Sequence, residues 1–225
     1  MQITVFGATG RAGSRVISQA AERGFTVKAA SHDETDRSCD GVTYMKVDVL
    51  KDNLTDALSG SDAVISCLGV GNDPTTLLDP PPLYTEGTLN IASAMTDVGI
   101  DRLAVISASF VETFERGPSH FRAMLPALSL VFKQMEQMEA QLARQDELRW
   151  TAVRPGWIMD APPSPDPVIS DTVIREDLIR SRTGDIANVL LDAVQHDKWV
   201  REKPAVASEE ADEQTSIEAV AEEII

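Results

Sequence analysis

Apolar and polar positions follow two rhythms along this chain. Short runs rich in β-branched and apolar residues at 3–6, 26–30, 42–47, 63–68, 103–107 and 150–154 read as strands. Between the first two, Ala12, Val16, Ile17 and Ala20 recur at helical spacing, and Gly24 stands where a left-handed cap would end the helix. A second helix is predicted over 86–98, with Ile91, Met95 and Val98 in register and Gly99 as its stop, and a third over 131–145. Parallel strands need a crossover of about a dozen residues or more, which these helices supply. The alternation therefore predicts an α/β domain over residues 1–210: a doubly wound, mostly parallel sheet in three layers.

Two proline-rich stretches, 72–82 and 160–167, interrupt the rhythm. They follow the fourth and sixth strands at their carboxyl ends, where ligands bind in open α/β sheets; the second serves equally well as a stiffened connection. Residues 211–225 form a separate acidic tail. Thr215-Ser216-Ile217-Glu218 reads as a capping box, after which Ile217, Val220, Ala221 and Ile224 share one helical face. Such a short amphipathic helix would dock on this domain or on a second subunit, giving a homodimer.

Composition narrows the function classes. With 225 residues, 43% of them hydrophobic, the chain can bury a core without disulfides or structural metals. Cys39, Cys67, His32, His120 and His196 show no ligand spacing, so no metal site is expected. Thirty-six acids against 20 bases give a net charge of −16, which repels nucleic acid and anionic lipid. The longest apolar run, 123–132, holds Pro126 and is far short of the ~20 residues of a membrane span. The amino terminus enters a strand pattern at once, without a basic leader, so a reducing cytoplasm is the expected location.

The chemistry begins at Gly7-Ala8-Thr9-Gly10-Arg11-Ala12-Gly13, directly after the first strand and at the start of the first helix. The first glycine permits a tight turn, the second lets backbone approach a pyrophosphate, and the third lets helix pack on strand, while free N–H groups at the helix start face the anion. In this strand-turn-helix setting the loop predicts a nucleotide site in a Rossmann-type fold.

The 3+3 glycine spacing resembles the atypical short-chain dehydrogenase/reductases. So do Asp48-Val49 after the third strand, Cys67-Leu68-Gly69 ending the fourth, Glu86-Gly87-Thr88-Leu89-Asn90-Ile91, Ser107-Ala108-Ser109 after the fifth, and Trp150-Thr151-Ala152-Val153-Arg154-Pro155-Gly156 at the sixth. Within that superfamily the pattern is most similar to the NmrA-like and biliverdin-IXβ or flavin reductase-like group. The resemblance implies an NAD(P) site in which Thr9, Gly10 and Arg11 meet phosphates and Asp48 and Val49 border the adenine. Cys67, Leu68 and Gly69 would pass under the cofactor, and Pro155, Gly156 and Trp157 would stand near the nicotinamide. Nothing marks Cys67 as a reactive thiol, and a buried small hydrophobe is its simpler role.

After the second strand come Ser31, His32 and Asp33, with Arg37 further on. Ser31, His32, Arg37 and Arg11 favour the 2′-phosphate of NADP; an inward Asp33 would instead take the ribose hydroxyls of NAD. Neither Tyr44 nor Tyr84 has a lysine four residues on, so the Tyr-x-x-x-Lys proton donor of most short-chain reductases is missing. Lys133, Glu136 and Glu139 on the third helix read as a solvated face, and His120 as a loop residue without a role. Ser107 is the candidate catalytic residue, since the resemblance puts its hydroxyl beside the nicotinamide. Where the biliverdin and flavin reductases carry a histidine, this chain has Trp157, an aromatic face suited to stacking on a planar partner. The expected function is an NADPH-dependent oxidoreductase acting on a flavin-type or quinone-type acceptor, or else a non-catalytic redox sensor of NmrA type.

Overall fold

The structure, a computed structural model, describes residues 1–35, 40–71, 74–114, 125–216 and 219. Arg37, Cys39, His120 and the apolar face predicted for the tail helix lie outside the described residues. Among those described, one eight-stranded sheet runs β3-β2-β1-β4-β5-β6-β10-β8. Its strands are β1 (Gln2–Phe6), β2 (Thr26–Ser31), β3 (Val42–Lys46), β4 (Ala63–Ser66), β5 (Arg102–Ile106), β6 (Arg149–Pro155), β8 (Val168–Ser170) and β10 (Ala205–Ala207). Every neighbouring pair is parallel except β10 with β8. A small parallel pair, β7 (Trp157–Met159) with β9 (Arg180–Arg182), stands beside it.

In the central strands β1, β4 and β5 successive side chains enter different cores, one on each face of the sheet. Ile3, Val5, Ile65, Ala104 and Ile106 face α1 (Arg11–Glu22) and α4 (Thr183–His196), and Phe6, Val64, Leu103 and Val105 face α2 (Thr88–Val98) and α3 (Ser129–Leu142). This is the three-layer, doubly wound arrangement expected from the sequence. α1 and α2 end as their glycines require. Gly24 and Gly99 adopt φ of 77°, and the next N–H reaches back over each, Phe25 to the Ala20 carbonyl and Ile100 to that of Met95, both at 2.9 Å.

Strand order reverses between β1 and β4, with β2 and β3 to one side and β5 and β6 to the other. Backbones diverge there beyond the strand carboxyl ends and open a crevice. Among the described residues no helix is long and apolar enough to cross a membrane.

Candidate functional site

A cavity of about 980 Å³ opens at that reversal, and the segments following all six parallel strands β1 to β6 contribute to its wall. Of the residues singled out in the sequence, Gly7, Thr9, Gly10, Arg11, Ala12, Ser31, His32, Asp48, Val49, Cys67, Leu68, Gly69, Ser107, Pro155, Gly156 and Trp157 line it. Ala8 and Gly13 do not: both are buried behind the loop, where Ala8 donates its N–H to the Ala30 carbonyl at 3.1 Å.

Each glycine of the loop has a different neighbour. Gly7 has φ of 71°, and a Cβ there would come within 2.4 Å of the Cys67 carbonyl oxygen. At Gly13 a Cβ would lie 2.1 Å from the Gly7 carbonyl oxygen, so turn and helix are in backbone contact. Gly10 is different: an added Cβ meets only the Gly7 oxygen, at 3.3 Å, and otherwise open cavity. Gly10 also caps α1 without a side-chain hydrogen bond, and no acid stands in the first helical turn. The N–H groups at this helix start thus face a cavity with no carboxylate of their own turn to neutralise them.

On the β2 and β3 side, Asp48 organises the wall. Its Oδ1 accepts the Leu50 N–H at 2.9 Å, and its Oδ2 lies 3.0 Å from Lys51 Nζ and 3.8 Å from His32 Nδ1. The Leu50 N–H, then the Lys51 hydrogen bond, hold its carboxyl below the usual aspartate range. Asn90 on α2 ties this turn down by donating to the Val49 carbonyl at 2.9 Å. Arg11, His32 and Lys51 are all exposed at this end, beside Asp33 and Asp48, and sequence reading contributed the first two of these basic residues. A lysine three residues after Asp48 was the available signal for the third.

The opposite end is apolar and aromatic. Phe110 and Phe132 have ring centroids 5.6 Å apart, and Trp157 meets Phe110 edge-on at 6.3 Å. α3 presents Val131, Phe132 and Met135 to the cavity, so its inward positions at four-residue spacing, 131 and 135, are both apolar. Tyr84 also lines the wall. Burial pushes its hydroxyl up to about 12, against a hydrogen bond from the Val70 backbone. Burial likewise raises the Cys67 thiol to about 12, in keeping with an unreactive small hydrophobe. β9 and the residue before it fix the β6 end: the Ser181 hydroxyl oxygen accepts the Gly156 N–H at 2.7 Å, and the Ile179 carbonyl accepts that of Trp157 at 2.7 Å.

Beneath this end lies a charged cluster that the sequence did not announce. Glu139, expected on a solvated face, is 2% exposed and takes the Ser107 hydroxyl proton at 2.6 Å. Arg154, 1% exposed, grips the same carboxylate through Nε at 2.8 Å and Nη2 at 2.5 Å, and its Nη1 reaches Glu112 at 2.6 Å. Burial pushes the Glu139 carboxyl up. Hydrogen bonds from Arg154 and Ser107, and the charges of Arg154 and Lys203, outweigh it and hold the group below the usual glutamate range. Lys133 and Glu136 are exposed, as expected. The signal for the cluster was Arg154 itself: an arginine in the buried part of a strand needs a buried counter-charge.

Known proteins resemble this chain. Residues 7–197 match the model of a family described as NAD(P)H-binding. An uncharacterised chloroplast protein of Arabidopsis thaliana is 25% identical over 199 residues, which cover 83% of this chain and 70% of the relative. The oxidoreductase YlbE of Lactococcus lactis superimposes with a TM-score of 0.76 at 19% identity, covering 99% of this chain and 97% of its own. A candidate NADH-flavin reductase of Streptococcus pneumoniae gives 0.73 at 21% identity, covering 93% and 100%. A short-chain dehydrogenase/reductase of Veillonella parvula in complex with NADP gives 0.73 at 13% identity, covering 92% and 94%. At these identities the solved structures speak for the fold.

Proposed function

The chain belongs to the NAD(P)H-binding family, and from that premise we propose that its cavity takes NADPH and serves reduction of a small planar acceptor of flavin or quinone type. The observation that carries the reading is one continuous cavity with a glycine loop and the basic side chains of Arg11 and Lys51 at one end and an aromatic wall at the other. The open space at Gly10, where a side chain would intrude, fits a pyrophosphate drawn close to backbone N–H groups. Arg11, His32 and Lys51 favour the 2′-phosphate, and Asp48 is already engaged by Lys51 and the Leu50 N–H. Leu68, Gly69, Pro155 and Gly156 then bound the nicotinamide.

When bound, the nicotinamide supplies a hydride from C4; the acceptor takes that hydride together with one proton from water. The protein's part is to hold the two rings face to face and to keep bulk water off them, which Phe110, Phe132 and Trp157 do by packing. Electron-poor flat acceptors need no strong acid, which accords with apolar Val131 and Met135 on α3. The same apolar wall favours a second reading, a redox sensor that binds NADP(H) without turnover. Turnover separates the two: NADPH consumption is followed with free flavins, quinones and activated aldehydes. Protein that binds NADPH by titration yet consumes none of it with any acceptor is a sensor.

A further inference from the structure

Among the described residues six large apolar side chains are exposed, and three of them, Leu78, Phe114 and Leu130, adjoin the aromatic end of the cavity. Leu78 is 75% exposed and follows Leu77 of the wall at the end of the short helix Pro74–Leu78. Leu130 precedes Val131 of the wall on α3. Gln134, one turn on from Leu130, donates to the Pro80 carbonyl at 3.0 Å, so this edge of α3 faces the segment that carries Leu78. On the other edge the ring of Phe114 stands edge-on to Phe132 of the wall, with centroids 6.2 Å apart. The remaining three, Met1, Val98 and Ile169, sit singly on separate elements, as exposed apolar residues do on any surface. Every described Asp, His, Lys or Arg of the cavity wall stands at the nucleotide end: Arg11, His32, Asp33, Asp48 and Lys51. The apolar wall therefore runs from Leu77, Val131 and Phe132 inside to Leu78, Leu130 and Phe114 outside. A second copy of the chain or a lipid surface could cover these three by area alone, but neither accounts for their continuity with the wall of a ligand cavity.

We propose that the ligand of this end is a planar ring carrying an aliphatic chain: the ring lies inside, and the chain leaves the cavity over Leu78, Leu130 and Phe114. This rests on the planar-acceptor reading above and adds to it what the ring carries. Binding energy then comes from a part of the ligand remote from the reacting ring. The chain also sets orientation, because a ring whose chain is held outside enters with its chain-bearing edge outward.

A chain-length series tests this. The 2-methyl, 2-butyl and 2-hexyl derivatives of 1,4-naphthoquinone are titrated into full-length protein saturated with NADP+, so that no turnover is needed, and binding is read from quenching of tryptophan fluorescence. Full burial of a methylene is worth about 4-fold in affinity, and a chain covered on one side keeps roughly the square root of that, about 2-fold. The hexyl compound should therefore bind about 30-fold more tightly than the methyl compound. Leu78→Ser with Leu130→Ser changes exposed positions only, and thermal melting confirms the fold. This double variant should hold the methyl compound as the unaltered protein does and lose most of the hexyl gain; Leu78→Ser alone should lose part of it. A hexyl compound that binds no more tightly than the methyl compound, or a gain left intact in the folded variants, overturns the proposal. So does a dimer, seen by sedimentation, that the double substitution dissociates, or pelleting with phosphatidylcholine vesicles that it abolishes, since either result gives the patch another occupant. No binding by any member of the series overturns this inference together with the planar-acceptor reading. NADPH turnover is read separately: its absence with the chain-length dependence intact sinks the hydride-transfer reading alone, and turnover without chain-length dependence sinks this inference alone.

Discussion

Ser107, at the carboxyl end of β5, donates its hydroxyl proton to Glu139, 32 residues further along the chain, across 2.6 Å of buried space. Arg154 from β6 closes the arrangement from the other side, so the ends of two adjacent strands and one helix meet on a single carboxylate. Both charges are nearly inaccessible, and each makes the other's burial tolerable.

Removing one partner of this pair should therefore be costly. Glu139→Ala leaves Arg154 buried with only the half-exposed Glu112 as counter-charge, and should lower stability by about 3–5 kcal/mol. For a chain of this size that is a fall in Tm of roughly 10 °C. Glu112→Ala, on the solvent side of the same arginine, should cost about 1 kcal/mol or less. Calorimetry of both variants checks the contrast, and equal losses would show that burial is not what sets the cost.

The cluster also gives acid stability a direction. The folded Glu139 carboxyl sits below its ordinary value of 4.5, so its contribution is complete above that pH and is lost as pH falls through its folded value. Asp48, lowered by the Leu50 N–H and Lys51, acts in the same sense. Asp185, raised by burial, acts in the opposite sense and gives part of this back below its folded pKa. Tm should be flat from about pH 7 to 5 and fall below about pH 4.5, and the fall should be shallower in Glu139→Gln. A profile identical in the variant would assign the acid limb to other carboxylates.

How much of this was written in the sequence depends on whether the cause was local. β1 to β6 lie within one or two residues of the runs predicted for them, because β-branched patterning and the glycine stops at 24 and 99 act over short distances. α4 escaped notice. It packs against both α1 and the sheet, so Ile186, Ala187, Val189, Leu190, Leu191, Ala193 and Val194 are all buried, and an apolar face that broad loses its helical period. β10, three residues long, carries too little pattern to read. The glycine loop was legible because its neighbours are its own strand and helix. Glu139 was not, because a charge at 139 after charges at 133 and 136 looks solvated until β6 brings Arg154 beneath it.

Cofactor choice turns on the balance of Arg11 and Lys51 against Asp33 at the same end of the cavity. NADPH should bind more tightly than NADH, and added salt should narrow the gap, since part of it is attraction between exposed charges and the 2′-phosphate. Arg11→Ala should weaken NADPH binding several-fold and leave NADH binding nearly unchanged. Titrations of both nucleotides at two ionic strengths read this directly. A preference for NADH would mean that Asp33, which also lines the cavity, holds the ribose hydroxyls instead.

The most direct test of the whole account is at Gly10, where the backbone is extended (φ −69°, ψ 167°) and an added side chain would point into open cavity past a single 3.3 Å contact. Valine adopts that backbone readily, so Gly10→Val should fold and melt close to the unaltered protein while filling the space a pyrophosphate needs. Calorimetric titration with NADPH should give clear binding for the unaltered protein and none that is measurable for the variant. Unchanged NADPH affinity in a folded Gly10→Val protein would contradict the assignment of this cavity as the nucleotide site.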